Sequence, residues 1–235
     1  GQSIPGANPS GDGFAALADT TGAVSWITRF PASSSSEVLR TAFLPNGSCL
    51  VSGLFTGDLL LPGETLVGTP SMTNSFVAHL SAQGEILWAL PFTSNGNALL
   101  TDLEVDPYGD VLVFGRFEGE LQIGQSAISP SASKSGLLCR MGSDGVLEAA
   151  MSYGRVPGGT GSVLSTSQGN YLSAVFDSTI SFGSATIEGA TDNFARDFFL
   201  ARFDSLSGFT NVPTAMAPEG GALVIYANPN EGRAT

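Results

Sequence analysis

The chain repeats itself about every 62 residues, and that period limits its fold more than any other feature. The segment Phe14-Ala-Ala-Leu-Ala-Asp-Thr-Thr-Gly22-Ala-Val-Ser-Trp26 aligns without a gap on Phe76-Val-Ala-His-Leu-Ser-Ala-Gln-Gly84-Glu-Ile-Leu-Trp88, at an offset of 62 from Gly22 to Gly84. Leu137-Leu-Cys-Arg-Met-Gly-Ser-Asp-Gly145-Val-Leu-Glu-Ala149 follows 61 residues after that, from Gly84 to Gly145. A fourth copy, Phe199-Leu-Ala-Arg-Phe-Asp-Ser-Leu-Ser-Gly208-Phe, is one residue longer. Each copy is an apolar strand, a polar turn closed by Gly and a second strand. That pattern is a β-hairpin whose Gly takes the positive φ of the turn.

A second hairpin lies about 25 residues downstream of each first one. Its copies are Leu44-Pro-Asn-Gly47-Ser-Cys-Leu-Val-Ser-Gly53-Leu-Phe55, Asp106-Pro-Tyr-Gly109-Asp-Val-Leu-Val-Phe-Gly115-Arg-Phe117, Thr166-Ser-Gln-Gly169-Asn-Tyr-Leu-Ser-Ala-Val-Phe176 and Ala217-Pro-Glu-Gly220-Gly-Ala-Leu-Val-Ile-Tyr226. Proline presets φ for the turn and Gly closes it. Each unit then carries four strands, and four-stranded sheets repeated along a chain are the blades of a β-propeller. The expected fold is all-β: one domain over residues 1–235, a propeller of four repeats of about 62 residues. The units run over about 14–75, 76–136, 137–198, and 199–235 plus 1–13, with the ring closed between N- and C-terminal strands. Gly208 to Gly220 spans 12 residues where other copies span 24 or 25, so a strand is lost there or a stretch of the chain is missing.

Composition fits many short strands. Of 235 residues, 30 are Gly and 13 Pro, and only 13% are charged, against about 25% in an ordinary soluble domain. The net charge is −12 and the only lysine is Lys134. Nucleic-acid binding needs a basic face, and an anionic membrane surface needs one too; neither partner is expected. No apolar run reaches the roughly 20 residues of a membrane span, and Gly1-Gln-Ser-Ile-Pro5 lacks the layout of a signal peptide. Cys49 and Cys139 fall at different places in the repeat, which reads as two unpaired, strand-buried thiols. With the single His79 they cannot make an ordinary structural zinc site.

Phe76-Val-Ala-His-Leu-Ser-Ala-Gln-Gly-Glu-Ile-Leu-Trp88, followed by Leu103-Glu-Val-Asp-Pro-Tyr-Gly-Asp-Val-Leu-Val-Phe-Gly-Arg-Phe-Glu-Gly119, resembles the bacterial SBBP-type β-propeller repeat. The resemblance is strongest in residues 76–124 and weakest after Gly208. It implies a propeller fold, a secreted or cell-envelope setting (periplasm or outer surface) in a bacterium, and no particular activity. Gly22-x-x-x-Trp26 and Gly84-x-x-x-Trp88 also resemble the tryptophan-docking motifs of quinoprotein dehydrogenase propellers and of outer-membrane assembly propellers. In those folds the indole packs between neighbouring blades. Ala149 and Val212 stand at the corresponding positions of the third and fourth copies, so the girdle is half complete.

The residues that bear chemistry form no convergent set. His79 shares a strand face with Val77, and its counterparts are Leu17, Arg140 and Arg202, which reads as a blade-surface position. No Gly-x-Ser-x-Gly elbow offers it a nucleophile. Asp106, Asp110 and Asp144 lie in Gly-containing turns, where Asx-turn hydrogen bonds explain them better than calcium, which wants six to eight converging oxygens. Trp26, Trp88, Phe30, Phe92, Tyr153, Phe55, Phe117 and Phe176 recur with the period and read as core. Asn46-Gly47-Ser48 matches a glycosylation sequon but is also the repeat's own turn. No catalytic, cofactor-binding or metal-binding residue is assigned, and no cofactor is expected. The function this implies is non-enzymatic: an interaction or scaffold module that joins other protein subunits in a larger assembly. Carbohydrate binding is the alternative; a lectin would need exposed aromatics beside polar groups, and exposure is not written in a sequence. A propeller enzyme with a quinone or calcium ranks third, since no copy gathers acids or histidines.

Overall fold

The computed structural model describes residues 11–159, 161–182, 185–189, 197–203 and 223–227. The described chain is all-β, apart from one turn of 3-10 helix at Pro157–Gly159. In order its strands are β1 (Gly13–Ala18), β2 (Val24–Phe30), β3 (Ser35–Phe43), β4 (Cys49–Thr56), β5 (Leu59–Leu61), β6 (Glu64–Leu66), β7 (Asn74–Leu80), β8 (Ile86–Ser94), β9 (Ala98–Val105) and β10 (Val111–Phe117). They continue as β11 (Leu121–Ile123), β12 (Ser126–Ile128), β13 (Ser135–Met141), β14 (Leu147–Arg155), β15 (Gly161–Thr166), β16 (Gly169–Phe176), β17 (Thr179–Phe182), β18 (Ala185–Glu188), β19 (Asp197–Phe203) and β20 (Leu223–Ala227).

All pairings are antiparallel, and the repeat organises the longer strands into four sheets, beside which β5-β6 and β17-β18 stand as separate two-stranded sheets. Sheet I is β1-β2; sheet II is β3-β4-β7-β8; sheet III is β9-β10-β13-β14; sheet IV is β15-β16-β19-β20. Three apolar cores lie between successive sheets. Phe30, Ala15 and Trp26 of sheet I meet Phe55, Phe76 and Val51 of sheet II. Leu50, Val77 and Phe92 of sheet II meet Leu100, Val113 and Leu137 of sheet III. Phe114, Leu138 and Tyr153 of sheet III meet Phe176, Phe199 and Ala201 of sheet IV. The periodic aromatics Phe30, Phe92, Tyr153, Phe55, Phe117 and Phe176 are all buried, as expected.

The turns repeat as faithfully as the strands. In five of them the first residue's N–H donates to the carbonyl four positions on, and its own carbonyl accepts from the glycine three positions on. They begin at Asp19, Leu44, Ser81, Asp106 and Gly142. The closing glycines, Gly22, Gly47, Gly84, Gly109 and Gly145, all have φ between 82° and 93°. This is a type I turn completed by a left-handed residue, and it explains the recurring glycine of the motif.

The structure corrects two expectations of the repeat. Each unit holds more than four strands, because a short hairpin sits between the second and third strands of a sheet and reaches back to the preceding one. β11-β12 pairs through Leu121–Ile123 with Phe92–Ser94 of β8, extending sheet II to six strands. β5-β6 makes the same reach at the Ala32–Leu59 bridge, and β17-β18 does so beside the Arg155–Asp177 bridge. These strands are three or four residues long, too short to show a period of two. The second correction is at the C-terminal end. Leu223–Ala227 pairs with β19, Phe203 against Leu223 and Phe199 against Ala227, and so forms the outer strand of sheet IV instead of starting a further second hairpin. Val212 and the whole stretch from Gly208 to Gly220 lie outside the described residues, as do residues 1–10 and 228–235, on which ring closure would depend. Among the described residues no sheet closes on itself, and no strand pairing joins sheet I to sheet IV.

Candidate functional site

The joints between sheets set the first part of the geometry. Trp26 Nε1 donates to the Ala82 carbonyl at 3.1 Å, and Trp88 Nε1 donates to the Ser143 carbonyl at 3.0 Å. Each indole lies on the glycine that closes the next sheet's turn. A Cβ at Gly84 would stand 2.5 Å from the Trp26 ring, and one at Gly145 would stand 2.9 Å from the Trp88 ring. The half-complete girdle thus works as two tryptophan-on-glycine joints. At the third joint Ala149 replaces the indole; there Tyr153, the counterpart of Phe30 and Phe92, stacks on Phe182 at 4.9 Å and meets Phe199 edge-on at 5.8 Å.

Both ends of the stack show core positions without a neighbour among the described residues. Phe14 is the counterpart of Phe76, Leu137 and Phe199, each of which is at most 1% exposed, yet Phe14 is 51% exposed. On the same face, Gly22 corresponds to Gly84 and Gly145, and no atom lies within 4 Å of a Cβ built there. At the other end, Phe198 of β19 is 45% exposed, and Leu164 of β15 is exposed as well. Tyr171 occupies the register position of Leu50 and Leu112, which are fully buried, and is itself only half-buried.

The turns of sheets II and III define two corners with one backbone and different chemistry. In sheet II, His79 is buried, not a surface residue as its tolerance for Leu and Arg implied. Its Nε2 lies 2.7 Å from Ser48 Oγ, its ring meets Trp88 edge-on, and Leu44 is buried in the core beneath. Burial holds the imidazole below its ordinary pKa, against an opposing hydrogen bond to the Ser143 backbone. Among the described residues no nucleophile–base–carboxylate arrangement surrounds it, and Ser48 is oriented by Asn46 Oδ1 at 2.6 Å.

In sheet III the corresponding positions are Asp106, Asp110 and Arg140. The Asp106 carboxyl, nearly buried, accepts from the Tyr108 N–H at 2.8 Å and the Asp110 N–H at 2.9 Å. This is the expected Asx turn, and Asp144 makes its own with the Val146 N–H at 3.0 Å. Arg140 Nη2 also reaches Asp106 at 3.5 Å and pairs with Asp110, while Nε lies 3.4 Å from Glu148. Burial first, and then the charge of Asp110, raise the Glu148 pKa, with Arg140 opposing. No group of His, Cys, Asp or Glu side chains among the described residues is arranged to hold a metal ion. Beside Arg140 a groove of about 230 Å³ opens between the β9-β10 turn and the β15-β16 turn, lined by Tyr108, Gln168 and Asn170.

A polar line also runs across the first strands of sheets II, III and IV. Arg40 of β3, Asp102 of β9 and Ser162 of β15 share one register position. Arg40 Nε lies 3.5 Å from Asp102, and Asp102 Oδ2 accepts from Ser162 Oγ at 2.5 Å and the Val163 N–H at 2.9 Å. The Glu104 pKa is pushed up, by burial first and by Asp102 second. Cys49 and Cys139 are buried free thiols, and burial raises the pKa of both, which makes them unreactive core residues. No described helix is long and apolar enough to cross a membrane. The chain matches no family model and no curated protein.

Proposed function

We propose that this chain is a non-enzymatic interaction or scaffold module of a bacterial secreted or cell-envelope protein, with sheets I to IV as blades of an SBBP-type propeller. The observation that carries the reading is the pair of unmatched faces. Each pair of successive sheets buries an apolar core, and the outer faces of sheets I and IV carry the same repeat positions without a described neighbour, which suits each face to meet the other or a further subunit. Covering Phe14 with the Leu164 and Phe198 side closes a ring within one chain. Covering either face with another subunit builds the larger assembly. Large apolar residues exposed at positions that are buried elsewhere in the repeat favour an interface at these faces.

The test is Phe14→Asp, read by light scattering, small-angle X-ray scattering and urea unfolding on the intact protein. A closed ring predicts a compact native monomer that expands and loses about 3 kcal/mol in the variant, as for a core aromatic. A subunit interface predicts a native oligomer that the variant dissociates. If mass, shape and stability are all unchanged by Phe14→Asp, the reading fails.

A further inference from the structure

We propose that the groove between the β9-β10 and β15-β16 turns binds a neutral or amino-substituted saccharide, with Tyr108 as the stacking platform. The inference goes beyond the scaffold reading and does not depend on it. A sugar ring has an apolar C–H face and a rim of hydroxyls that both donate and accept. It is therefore held by an exposed aromatic face beside planar polar side chains. This chain sets that combination at the groove. Tyr108 is 89% exposed, the most solvent-open of the large apolar side chains among the described residues, yet its backbone is held in place by the Asp106 carboxyl.

Across the groove, Asn170 Oδ1 accepts from Ser165 Oγ at 2.6 Å, which leaves its amide N–H groups to donate. The Gln168 backbone carbonyl accepts from Arg202 Nη2 at 2.6 Å and its N–H donates to Thr166 Oγ1 at 3.1 Å. These bonds fix the turn, and the Gln168 side-chain amide remains for a ligand. The size agrees: about 230 Å³ is smaller than the roughly 300–1,000 Å³ of a drug-sized pocket and suits one sugar ring with its neighbours in solvent.

The electrostatics choose the class. Arg140 is the one cation among the described residues that line the groove, and Asp106, Asp110 and Glu148 already surround it, so the floor is net negative. An anionic sugar would meet repulsion, since the Arg140 guanidinium is already paired with three carboxylates. A neutral or amino sugar would not. The sealed His79–Ser48 corner of sheet II offers no such space, so one site is expected per chain.

The experiment is a glycan array carrying neutral, amino and acidic saccharides, followed by titration of the best ligand into the wild-type protein, Tyr108→Ala and Tyr108→Phe. Binding is expected to neutral or amino saccharides, to fall more than tenfold in Tyr108→Ala and to survive in Tyr108→Phe. Tyr108 is exposed at a turn tip, so these variants leave the fold intact, which their unfolding curves check. The proposal is overturned if no saccharide binds, if only acidic glycans bind, or if Tyr108→Ala binds as well as the wild type. None of these outcomes bears on Phe14.

Discussion

The His79 corner of sheet II and the Arg140 corner of sheet III share their backbone and differ in almost everything else. Both sit where a type I turn with a left-handed glycine meets the third strand of the sheet. In sheet II, Leu44, Ser48 and His79 close the corner with neutral hydrogen bonds and join it to the core. In sheet III, Asp106, Asp110 and Arg140 make a charged network, and a groove opens beside it. A repeat fixes strands and turns because they serve packing, and it leaves the corner side chains to vary. Functional chemistry, where a repeat protein has any, is to be sought at such divergent corners.

The largest effect that separates the corners is the loss of their central residue. Arg140→Leu leaves three carboxylates facing each other without a cation, and is expected to cost about 2 kcal/mol, below the usual cost of breaking a buried pair because the guanidinium is partly exposed. His79→Leu, which installs the residue of sheet I, removes the neutral hydrogen bonds to Ser48 and the Ser143 backbone and is expected to cost about 1 kcal/mol. Urea unfolding of the two variants decides the matter. Equal losses would mean that the charged corner is no more demanding than the neutral one.

Protonation sharpens the contrast, because the two corners respond to pH with opposite signs. The folded-state pKa of His79 lies below the unfolded value of about 6.5. The unfolded chain therefore takes the proton first, and stability falls as pH drops through about 6.5, with no loss above it. Glu148 has its folded pKa raised, so there the folded chain takes the proton first, and stability gains as pH falls towards the unfolded value of about 4.3. Unfolding free energies between pH 8 and 4 are expected to show the His79 slope in the wild type and its loss in His79→Gln. Glu148→Gln is expected to remove only the gain at the acid end, a smaller change because this side chain is largely exposed. A wild-type slope near pH 6 that survives in His79→Gln would show that the corner is not its source.

How far the residues foretell these features depends on what each one serves. Trp26 and Trp88 are readable as joints because an indole needs the same seat each time, and Gly84 and Gly145 supply it at the fixed spacing. The third joint is hidden, because Tyr153, Phe182 and Phe199 come from different strands and only the fold brings them together. The reach-back hairpins are too short to show in the pattern, although Gly57 and Gly119 mark the two clearest of them 62 residues apart. His79 misleads because a position that accepts Leu, His and Arg looks like surface, whereas each neighbour set is tailored to its own residue. The groove has no sequence signal at all. Tyr108 is one turn residue in a copy whose counterparts are Asn46 and Gln168, and only its exposure across from Asn170 gives it meaning.

The smallest effect concerns the same reach-back hairpins. Gly57 and Gly119 enter them with φ of 73° and 72°, and their counterpart in the third hairpin is Ser178, with φ of 69°. At Gly57 a Cβ would run into the Ser33 hydroxyl, and at Gly119 into the Asn95 carboxamide, so glycine is required for space as well as for φ. Ser178 bears only the conformational cost, about 1–2 kcal/mol for an L-residue in the left-handed region. Replacing it with glycine removes that cost but adds the entropy of a freer unfolded chain, about 0.5–1 kcal/mol. Ser178→Gly is therefore expected to stabilise by about 0.5 kcal/mol, a rise in Tm of about 1–2 °C for a chain of this length. The reverse exchange, Gly119→Ser, is expected to destabilise by more than that, since it adds a clash to the strain. A Ser178→Gly variant that melts below the wild type would mean that the Ser178 hydroxyl makes a contact that outweighs its backbone strain.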